Sequence, residues 1–545
     1  MPQALLEEVR RAVDELRTRP NVERLPADEI KRRAEWFGTP TAFGNYSWVS
    51  NVKNRSTALT VHLGSRKVAS ETSTQKKKEI RKGAAETARL VHEYLRKAPL
   101  LSVECVMGDN PDFAPICELY LSVYRKETIR LAYMLGETLF APGEKSGGPR
   151  LRVIFIPEWQ EKDRQILVFP EIGVTYVLGT DYFGELRNAF LRMAMWSAKQ
   201  EGMLGLHAGT KIVRAKGADG RLRRLGMVLF GIEATGKTTH ICHDHGLCEP
   251  GEGIEIVQDE VVFWRKDGSA LGTERGFYIK TEGLDPKLQP LLYKAAVSKN
   301  ALLDNVVVDY EGNIYFADRT LTANAHALIQ GEDLCGFSRA HIDLPPLAEL
   351  DGILIAFMAR NYTVVPILSK LTPEQAAVAF MLGESLDVTG ADAKDALNPA
   401  RAAGTNPLLV GEASDEANRF YEFVKAHEDK IHCYMLNTGG VGELVQHGMD
   451  GARRVQRKVT RVAIPEMAAI IRSVARGTLT WRDDPNWMVE TPQRVEGLDI
   501  SKFNLNVHYD QAKIDSLVAA IRLERAGFIE LFHGLDPRIR SAVEF

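Results

Sequence analysis

Residues 231–239 combine glycines, a lysine and threonines at a spacing that suits phosphate groups. The segment reads GIEATGKTT, follows the short apolar run 226–230, and matches G-x-x-x-x-G-K-[ST] at every fixed position. Glycines let backbone N–H groups turn toward phosphate oxygens, Lys237 supplies a positive charge, and Thr238 offers a hydroxyl to Mg²⁺. Glu233 would repel an anion unless its side chain points away. The pattern predicts a P-loop that binds nucleotide through Gly231, Thr235, Gly236, Lys237, Thr238 and Thr239.

A carboxylate pair follows the loop at a distance that suits a metal ligand. Residues 254–264 read IEIVQDEVVFW, so Asp259 and Glu260 come at the end of a predicted strand. Enzymes that transfer phosphoryl groups hold their metal ion with a carboxylate in this position. By itself, an acidic pair at the end of a strand is common and does not indicate a metal site. Together with the loop, the pair favours Asp259 as a metal ligand.

Residues 240–248, which read HICHDHGLC, contain further side chains that can bind metals. His240 and Asp244 lie one helical turn apart, and so do His245 and Cys248 if the helix continues. No C-x-x-C or H-E-x-x-H spacing is present, so roles in packing and on a helix surface are favoured over a metal site.

The elements that must position these residues alternate between helix and strand. Apolar residues at helical spacing predict a helix over residues 1–20, and 76–97 and 183–202 predict two more. The Lys76 to Lys78 run that opens the second helix is interpreted as a solvated helix start rather than a phosphate contact. Apolar runs in LRVIFIPE, QILVFPE and TYVLGT predict buried strands. The fold class is therefore α/β, with a candidate boundary near 215–225.

The composition excludes several classes of protein. The 545 residues are 45% hydrophobic and 26% charged, and 69 basic against 72 acidic side chains leave a net charge of −3. This is an ordinary globular composition without the basic field that nucleic acid requires. Six scattered cysteines are typical of reduced thiols. The absence of a signal sequence and of a long uncharged apolar run predicts a cytoplasmic protein with no membrane partner.

Several motifs in fixed order resemble the ATP-dependent phosphoenolpyruvate carboxykinases. GIEATGKTT, QDE and TERGFYIKTEGL resemble that family's G-L-S-G-T-G-K-T-T loop, D-D-E metal motif and F-E-G-G-C-Y-A-K-T segment. The other matching segments, which extend the resemblance over roughly residues 100–540, are YVLGTDYFGELRNAF, GLHAGTKIV, LLDNVVVDYEGNIYFADRTLTANAHA, SKLTPEQA, NTGG and RVQRKVTR. The resemblance implies a two-lobed α/β fold with the active site between the lobes. Residues 1–220 would form an N-terminal lobe with part of the substrate site, and 221–545 a C-terminal lobe with the P-loop.

The resemblance also assigns roles to individual positions. Lys237 and Thr238 match the ligands of the nucleotide phosphates and Mg²⁺, and Asp259 and His207 match residues that hold a second divalent ion such as Mn²⁺. The remaining matches are a substrate-side tyrosine at Tyr182, nucleotide-base contacts at Arg454 and Thr460, and a substrate-binding arginine at Arg55 within KNRST.

The departures from the family pattern concentrate in the substrate site. The family's twin lysines become Arg187 and Asn188, an arginine that clamps the transferring phosphate becomes His326, and the first Asp of D-D-E becomes Gln258. Neutral imidazole and amide groups do not replace a guanidinium fork and an ammonium. Arg187 could compensate only in part, because its side chain points about 100° away from that of Asn188 on a helix. His326 could act as a general base.

These observations leave three hypotheses. The first is a divergent phosphotransferase that moves the γ-phosphoryl group of ATP to a small, less anionic acceptor with Mg²⁺ or Mn²⁺, so that oxaloacetate is converted weakly or not at all. The second is an authentic carboxykinase that converts oxaloacetate and ATP to phosphoenolpyruvate, CO2 and ADP. The third is a nucleotide-binding regulatory protein without turnover. The identity of the acceptor and the oligomeric state stay open.

Overall fold

The computed structural model describes residues 3–68, 74–143, 148–232, 235–337, 342–386, 399–401, 403–447 and 453–545. Glu233 lies outside the described residues. Mixed sheets and helices confirm the α/β class. The chain forms two compact units, the first made of Met1–Gly205, Leu271–Asp343 and Leu408–Glu412, and the second of Leu206–Ala270, Leu344–Pro407 and Ala413–Phe545.

The helices alternate with strands along both units. Those of the first unit are α1 (Gln3–Asp14), α2 (Ala27–Glu35), α3 (Gln75–Leu95), α4 (Ile129–Thr138), α5 (Phe183–Gln200) and α7 (Pro290–Ala296). Those of the second unit are α6 (Lys237–Cys242), α8 (Pro373–Leu382), α9 (Ala413–Ala426), α10 (Ile464–Arg476), α11 (Gln511–Ile529) and α12 (Pro537–Ser541). No helix within the described ranges contains a run of 18 residues apolar enough to span a bilayer.

The first unit is built on a mixed sheet and a smaller second sheet. The larger sheet has the order β1-β5-β6-β7-β9-β8-β4, with β1 (Val22–Arg24), β4 (Thr60–His62), β5 (Leu100–Val106), β6 (Ile116–Ser122), β7 (Arg150–Ile156), β8 (Gln165–Phe169) and β9 (Val174–Leu178). The smaller has the order β16-β20-β17-β3-β2, with β2 (Thr39–Pro40), β3 (Tyr46–Trp48), β16 (Gly276–Lys280), β17 (Leu302–Asp304) and β20 (His326–Gln330). A hairpin joins β18 (Val307–Val308) to β19 (Ile314–Tyr315).

The core of the first unit follows from the apolar spacing of its elements. Leu5, Val9 and Val13 on α1 are buried with the apolar face of α3 against the larger sheet. Helix α5 is buried on almost all sides, although it carries Glu185 and Arg192. A helix that is buried all round is normally hydrophobic all round, so the buried polar residues of α5 require specific partners.

The second unit contains the sheet from which the P-loop emerges. Its order is β13-β11-β12-β21-β25-β22-β31-β30, with β11 (Ala208–Lys216), β12 (Leu222–Phe230), β13 (Gly253–Gln258), β21 (Gly352–Ala359), β22 (Leu368–Leu371), β25 (Ile431–Asn437), β30 (Thr480–Asp483) and β31 (Glu490–Arg494). Strands β12, β21 and β25 are parallel neighbours. Their carboxyl ends therefore meet at one edge, which is where α/β folds bind ligands.

The remaining strands are short. The second unit also contains β14 (Val262–Trp264), and it pairs β23 (Ser385–Leu386) with β24 (Pro399–Ala400), β26 (Gly440–Val441) with β29 (Thr460–Arg461), and β27 (Leu444–His447) with β28 (Arg453–Arg457). The chain passes between the units within β10 (Leu204–Leu206) and β15 (Ala270–Gly272).

The division into units differs from the predicted one, 1–220 and 221–545. Residues 271–343 belong to the first unit, because β17 pairs with β3 and β20 pairs with β17 and β16. Strand β11 belongs to the second unit, because it pairs with β12 from Ala208↔Phe230 to Lys216↔Leu222. The predicted boundary thus falls in the turn of this hairpin.

Candidate active site

The P-loop backbone requires glycine at two positions. Gly236 has a φ of 93°, in the left-handed region, where it begins α6. A Cβ atom on Gly231 would lie 2.3 Å from Thr235 Oγ1 and 3.2 Å from Met358 Cβ. The loop is therefore too close to its neighbours for a side chain at Gly231, as expected for a backbone that must approach phosphate oxygens.

The NTGG segment holds the P-loop from the end of β25, which lies beyond β21 in the sheet. Thr438 Oγ1 donates a hydrogen bond of 2.7 Å to the carbonyl of Thr235. Asn437 Oδ1 accepts from the backbone N–H groups of Asn361 and Gly439, at 2.9 and 3.0 Å. From the sequence alone, NTGG was only one of several segments with a resemblance to a family, and nothing indicated that it contacts the P-loop. Its contact with the loop follows from the parallel pairing of β12, β21 and β25.

Lys237, Thr238 and Asp259 form one buried polar cluster. Thr238 Oγ1 donates to Asp259 Oδ2 at 2.7 Å. Lys237 Nζ donates to the Asp259 carbonyl oxygen and lies 3.4 Å from Asp259 Oδ1. Burial raises the pKa of the Asp259 carboxyl, and the Lys237 charge opposes this shift. Gln258 Oε1 accepts from the Asp259 backbone N–H at 2.8 Å, so the residue that replaces an aspartate of the D-D-E pattern fixes the strand end.

His207 faces Glu260 rather than the carboxylate that the sequence favoured. His207 Nε2 lies 3.3 Å from Glu260 Oε1, and Nδ1 lies 3.2 Å from the carbonyl oxygen of Thr405. Because a carbonyl oxygen and an ionised carboxylate both only accept, Nδ1 donates to the carbonyl, and a proton or a metal ion between Nε2 and Glu260 would satisfy this arrangement. Asp259 instead contacts Thr238 and Lys237. A divalent ion shared by His207 and Asp259 stays a prediction. That prediction did not include Glu260, the acidic residue that faces His207.

The substrate-side residues of the first unit form a second cluster. Asn324 Nδ2 donates to Tyr182 Oη at 3.1 Å and to the Lys53 carbonyl at 2.8 Å. His326 Nδ1 lies 3.0 Å from the Asn324 carbonyl, which again places the ring proton on Nδ1. The His326 ring stacks on Tyr278 with centroids 4.3 Å apart and planes 3° from parallel. The buried imidazole is thus held in one orientation.

Arg187, which precedes Asn188 on α5, is engaged in a buried ion pair. Its Nε and Nη2 atoms donate to the two carboxylate oxygens of Glu274, both at 2.7 Å. The two side chains are 4% and 1% exposed. A guanidinium held by both oxygens of a carboxylate has its charge neutralised locally, so this pair weighs against compensation by Arg187, which stays a prediction. Asn188 is buried one residue further along α5.

Arg55 lies beside the start of α5. The backbone N–H of its neighbour Ser56 donates to Glu185 Oε1 on α5. This bond brings the KNRST segment to the helix that carries Tyr182 at its start and Asn188 in its second turn. The structure therefore collects Arg55, Tyr182, Asn188 and His326 in the first unit, and the nucleotide-side residues in the second.

Comparison with known proteins identifies the family. A family model described as phosphoenolpyruvate carboxykinase matches residues 20–501. The chain is 30% identical over 439 residues to the phosphoenolpyruvate carboxykinase (ATP) of Aeropyrum pernix, which covers 80% of this chain and 82% of that protein. The chain belongs to the ATP-dependent phosphoenolpyruvate carboxykinase family. This is a family of enzymes that use ATP and a divalent metal ion and act on small molecules.

Other carboxykinases of the family match a smaller share of their length. The protein of Rhizobium rhizogenes is 26% identical over 339 residues, 60% of this chain and 55% of that protein. The protein of Rhizobium johnstonii is 25% identical over 381 residues, 68% of this chain and 64% of that protein. The chain thus spans between about half and two thirds of these Rhizobium relatives.

The positions that match carboxykinase nucleotide-base contacts lie in the short hairpins after NTGG. Thr460 in β29 pairs with Val441, and a Cβ on Gly440 would lie 2.1 Å from the Thr460 carbonyl. Arg454 lies in β28 with an exposed side chain. Their contact with adenine stays a prediction.

The histidines after the carboxykinase P-loop surround a buried lysine. Lys211 Nζ bonds to the carbonyls of His240 and His243 at 2.7 and 2.9 Å, and lies 2.6 Å from His245 Nε2. Burial lowers the pKa of Lys211 to about 7. The ammonium thus ties the carboxyl end of α6 to β11, and this is the role that the structure shows for residues 240–245.

Proposed function

We propose that this chain transfers the γ-phosphoryl group of ATP to a small acceptor other than oxaloacetate, with Mg²⁺ or Mn²⁺. The observation that carries the proposal is the joint position of Lys237, Thr238 and Asp259 at the glycine loop. Hydroxyl and carboxylate oxygens are the ligands that Mg²⁺ prefers. Packing alone does not explain this cluster, because burying a lysine and an aspartate costs more free energy than burying apolar residues in their place.

Each residue of this cluster has a defined part in the proposed reaction. Thr238 Oγ1 and Asp259 Oδ2 would hold the metal ion of the nucleotide, and Lys237 would move from the Asp259 carbonyl to the phosphate oxygens. His207 Nε2 and Glu260 suit a second ion such as Mn²⁺. Among the described residues no group of three or more His, Cys, Asp or Glu is arranged to hold an ion, so water or substrate would supply further ligands. The metal ions supply charge neutralisation on the phosphates.

The acceptor side supports a hydroxyl compound. As a general base, the buried imidazole of His326 would take the proton of an acceptor hydroxyl as the phosphoryl group arrives. Tyr182, whose phenol oxygen accepts a hydrogen bond from Asn324, would help to orient the acceptor. A neutral imidazole where carboxykinases carry an arginine is the reason to look beyond oxaloacetate.

The second candidate is the carboxykinase reaction on oxaloacetate, which the names of the related proteins favour. A coupled assay with oxaloacetate, ATP and Mn²⁺ separates the two. Loss of one guanidinium from a transferring phosphate costs about 10³-fold or more in rate, so we expect wild-type turnover far below 1 s⁻¹, an order-of-magnitude limit. The double variant Asn188→Lys with His326→Arg should turn over faster. Ordinary enzyme rates in the wild type would establish the carboxykinase reaction instead.

Nucleotide binding is tested separately by calorimetry with ATP and Mg²⁺. Lys237→Ala should weaken binding by about 2–3 kcal/mol, the scale of one charge-assisted contact. Lys266→Ala, a change at an exposed lysine of the same unit, serves as the matched control and should bind as the wild type does. Equal affinity in Lys237→Ala and wild type would refute the P-loop assignment. Tight ATP binding with no turnover on any of a panel of hydroxy and keto acids would favour the regulatory hypothesis.

A further inference from the structure

A groove between α1 and α3 of the first unit lies outside the residues that the proposed reaction uses. Its volume is about 150 Å³, and Ala12, Leu16 and Leu95 form its apolar part. Drug-sized ligands occupy pockets of about 300–1,000 Å³, so this groove suits a smaller molecule. None of the residues assigned above to the nucleotide, the metal ions or the acceptor lines it.

Charged side chains form most of the groove. Its four arginines and three glutamates are Arg11, Arg19, Arg89, Arg96, Glu8, Glu15 and Glu93. Two of the arginines already hold a glutamate of the groove. Arg19 Nη2 donates to Glu15 Oε2 at 2.6 Å, and Arg89 Nη1 donates to Glu93 Oε1. These pairs leave two arginines and one glutamate, so the balance of the lining is positive.

The two remaining arginines, Arg11 and Arg96, line the groove from different helices. Arg11 lies on α1 and Arg96 follows the last residue of α3. Both side chains are exposed, and within the described ranges neither guanidinium makes a hydrogen bond or an ion pair. One exposed arginine is common and indicates nothing. Two that line the same small groove offer planar sets of donors that fit the oxygens of a carboxylate or a phosphate.

His92 on α3 forms part of the buried side of the groove. Its side chain is only 9% exposed, and its Nε2 atom lies 2.8 Å from Tyr176 Oη, which is fully buried. The Tyr176 hydroxyl has no other side-chain hydrogen bond in the part of the chain that the structure describes. A buried hydroxyl donates where it can, so its proton points to Nε2 and the proton of the neutral ring is on Nδ1.

The Nδ1 proton of His92 has only a distant acceptor in Glu8. Glu8 Oε1 lies 3.5 Å from Nδ1, which is longer than a normal hydrogen bond. Burial lowers the pKa of His92, and the Glu8 charge opposes this shift, so the ring is neutral at pH 7. The groove therefore contains a buried N–H donor that an oxygen atom of a ligand can approach.

Helix α1 precedes residue 20, where the match to the family model begins. One side of the groove thus comes from a part of the chain for which the resemblance to carboxykinases implies no role.

We propose that this groove binds a small anion, whose carboxylate or phosphate group is held by Arg11, Arg96 and the Nδ1–H group of His92. Because no residue of the proposed reaction lines the groove, the anion is an effector and not a reactant. The Glu8 carboxylate repels the anion and limits its affinity.

The ring signals of His92 provide a local readout of binding. In full-length protein labelled with 13C in the histidine rings, these signals are assigned by comparison with His92→Gln. Addition of inorganic phosphate or malonate should shift them, with a Kd below about 1 mM. Phosphate that binds only at the P-loop leaves them in place. If neither probe moves the His92 signals, the proposal is wrong.

Calorimetry with the same probes, at constant low ionic strength, tests the two arginines. Arg11→Met and Arg96→Met should each bind about fivefold more weakly, the upper end for an exposed ion pair, and the double variant at least about tenfold. Arg10→Met and Lys97→Met are matched controls, because these exposed cations are the chain neighbours of Arg11 and Arg96 but do not line the groove. Equal affinity in the double variant and the controls would overturn the proposal.

Glu8→Gln tests the sign of the ligand charge. Removal of the repulsive carboxylate should make phosphate or malonate bind more tightly. Weaker binding would overturn the assignment to an anion and favour a cationic ligand. Tighter binding of phosphate than of malonate would identify a phosphate ester as the effector, and the reverse would identify a carboxylic acid.

ATP binding separates this site from the proposed function. Without added anion, the Arg11→Met and Arg96→Met double variant should bind ATP and Mg²⁺ as the wild type does, whereas Lys237→Ala should not. Loss of ATP affinity in the double variant would refute the assignment to a separate effector. A failure of the P-loop assignment, seen with Lys237→Ala, would leave the anion site unaffected.

Discussion

The ion pair between Arg187 and Glu274 allows a sharp test of whether Arg187 stabilises the fold or takes part in the reaction. Arg187→Met keeps the length of the side chain but removes both hydrogen bonds of 2.7 Å. It removes the arginine that binds both oxygens of the Glu274 carboxylate, which is 1% exposed. Breaking a buried pair in this way costs about 3–5 kcal/mol, a large part of the roughly 5–15 kcal/mol that stabilises a folded protein.

Urea unfolding followed by circular dichroism measures this loss. Glu274→Gln added to Arg187→Met should restore part of the stability, because the buried group is then neutral and the charge penalty disappears. Arg32→Met is a matched control, since Arg32 also binds both oxygens of a carboxylate, that of Glu29, but is 73% exposed. It should change stability far less. If Arg187→Met unfolds like the wild type and loses only turnover, Arg187 acts in the reaction, as the sequence alone predicted.

Three further predictions concern the second unit. Burial lowers the pKa of Lys211 from 10.5 to about 7, so between these two pH values the folded chain binds fewer protons than the unfolded chain. The free energy of unfolding of the wild type, relative to that of Lys211→Met, should therefore rise by up to about 1 kcal/mol per pH unit above pH 7 and stay constant below it. Urea unfolding across pH measures this difference. Gly231→Ala should weaken ATP binding at least about tenfold in calorimetry, because a Cβ there meets Thr235, whereas Gly83→Ala, with nothing within 4 Å, should not. Thr438→Val should weaken ATP binding about fivefold by releasing the P-loop carbonyl, and unchanged affinity would show that NTGG does not hold the loop.

Local sequence patterns predicted much of the fold and many of the nucleotide-binding residues. Helix α5 was predicted over 183–202 and extends over Phe183–Gln200, because its boundaries follow from apolar spacing and from the glycine after it. The apolar runs of β7, β8 and β9 were recognised for the same reason. The P-loop and the carboxylate after β13 were found because their chemistry depends on short spacing along the chain.

Contacts between distant parts of the chain were beyond the sequence. Arg187 and Glu274 are 87 residues apart, and nothing in either local pattern indicates the other. His207 was matched to Asp259 because both fit a family motif, but the direction of each side chain at the end of β13 decides that Glu260 faces the imidazole.

Residues 271–343 belong to the first unit although they follow the P-loop in the chain, and this affects the order in which the parts of the first unit are synthesised. Strand β3 pairs in parallel with β17, whose residues leave the ribosome more than 250 positions later. At about 5–20 residues per second, the first unit waits roughly seven to twenty-eight seconds after residue 205 before residue 343 has been made. During that interval the whole P-loop strand and helix emerge. The edge of β3 stays unpaired meanwhile, and an unpaired edge is a template for wrong pairing. The nascent chain therefore offers a holding chaperone a defined target, the edge formed by residues 46–48, for as long as β17 is absent.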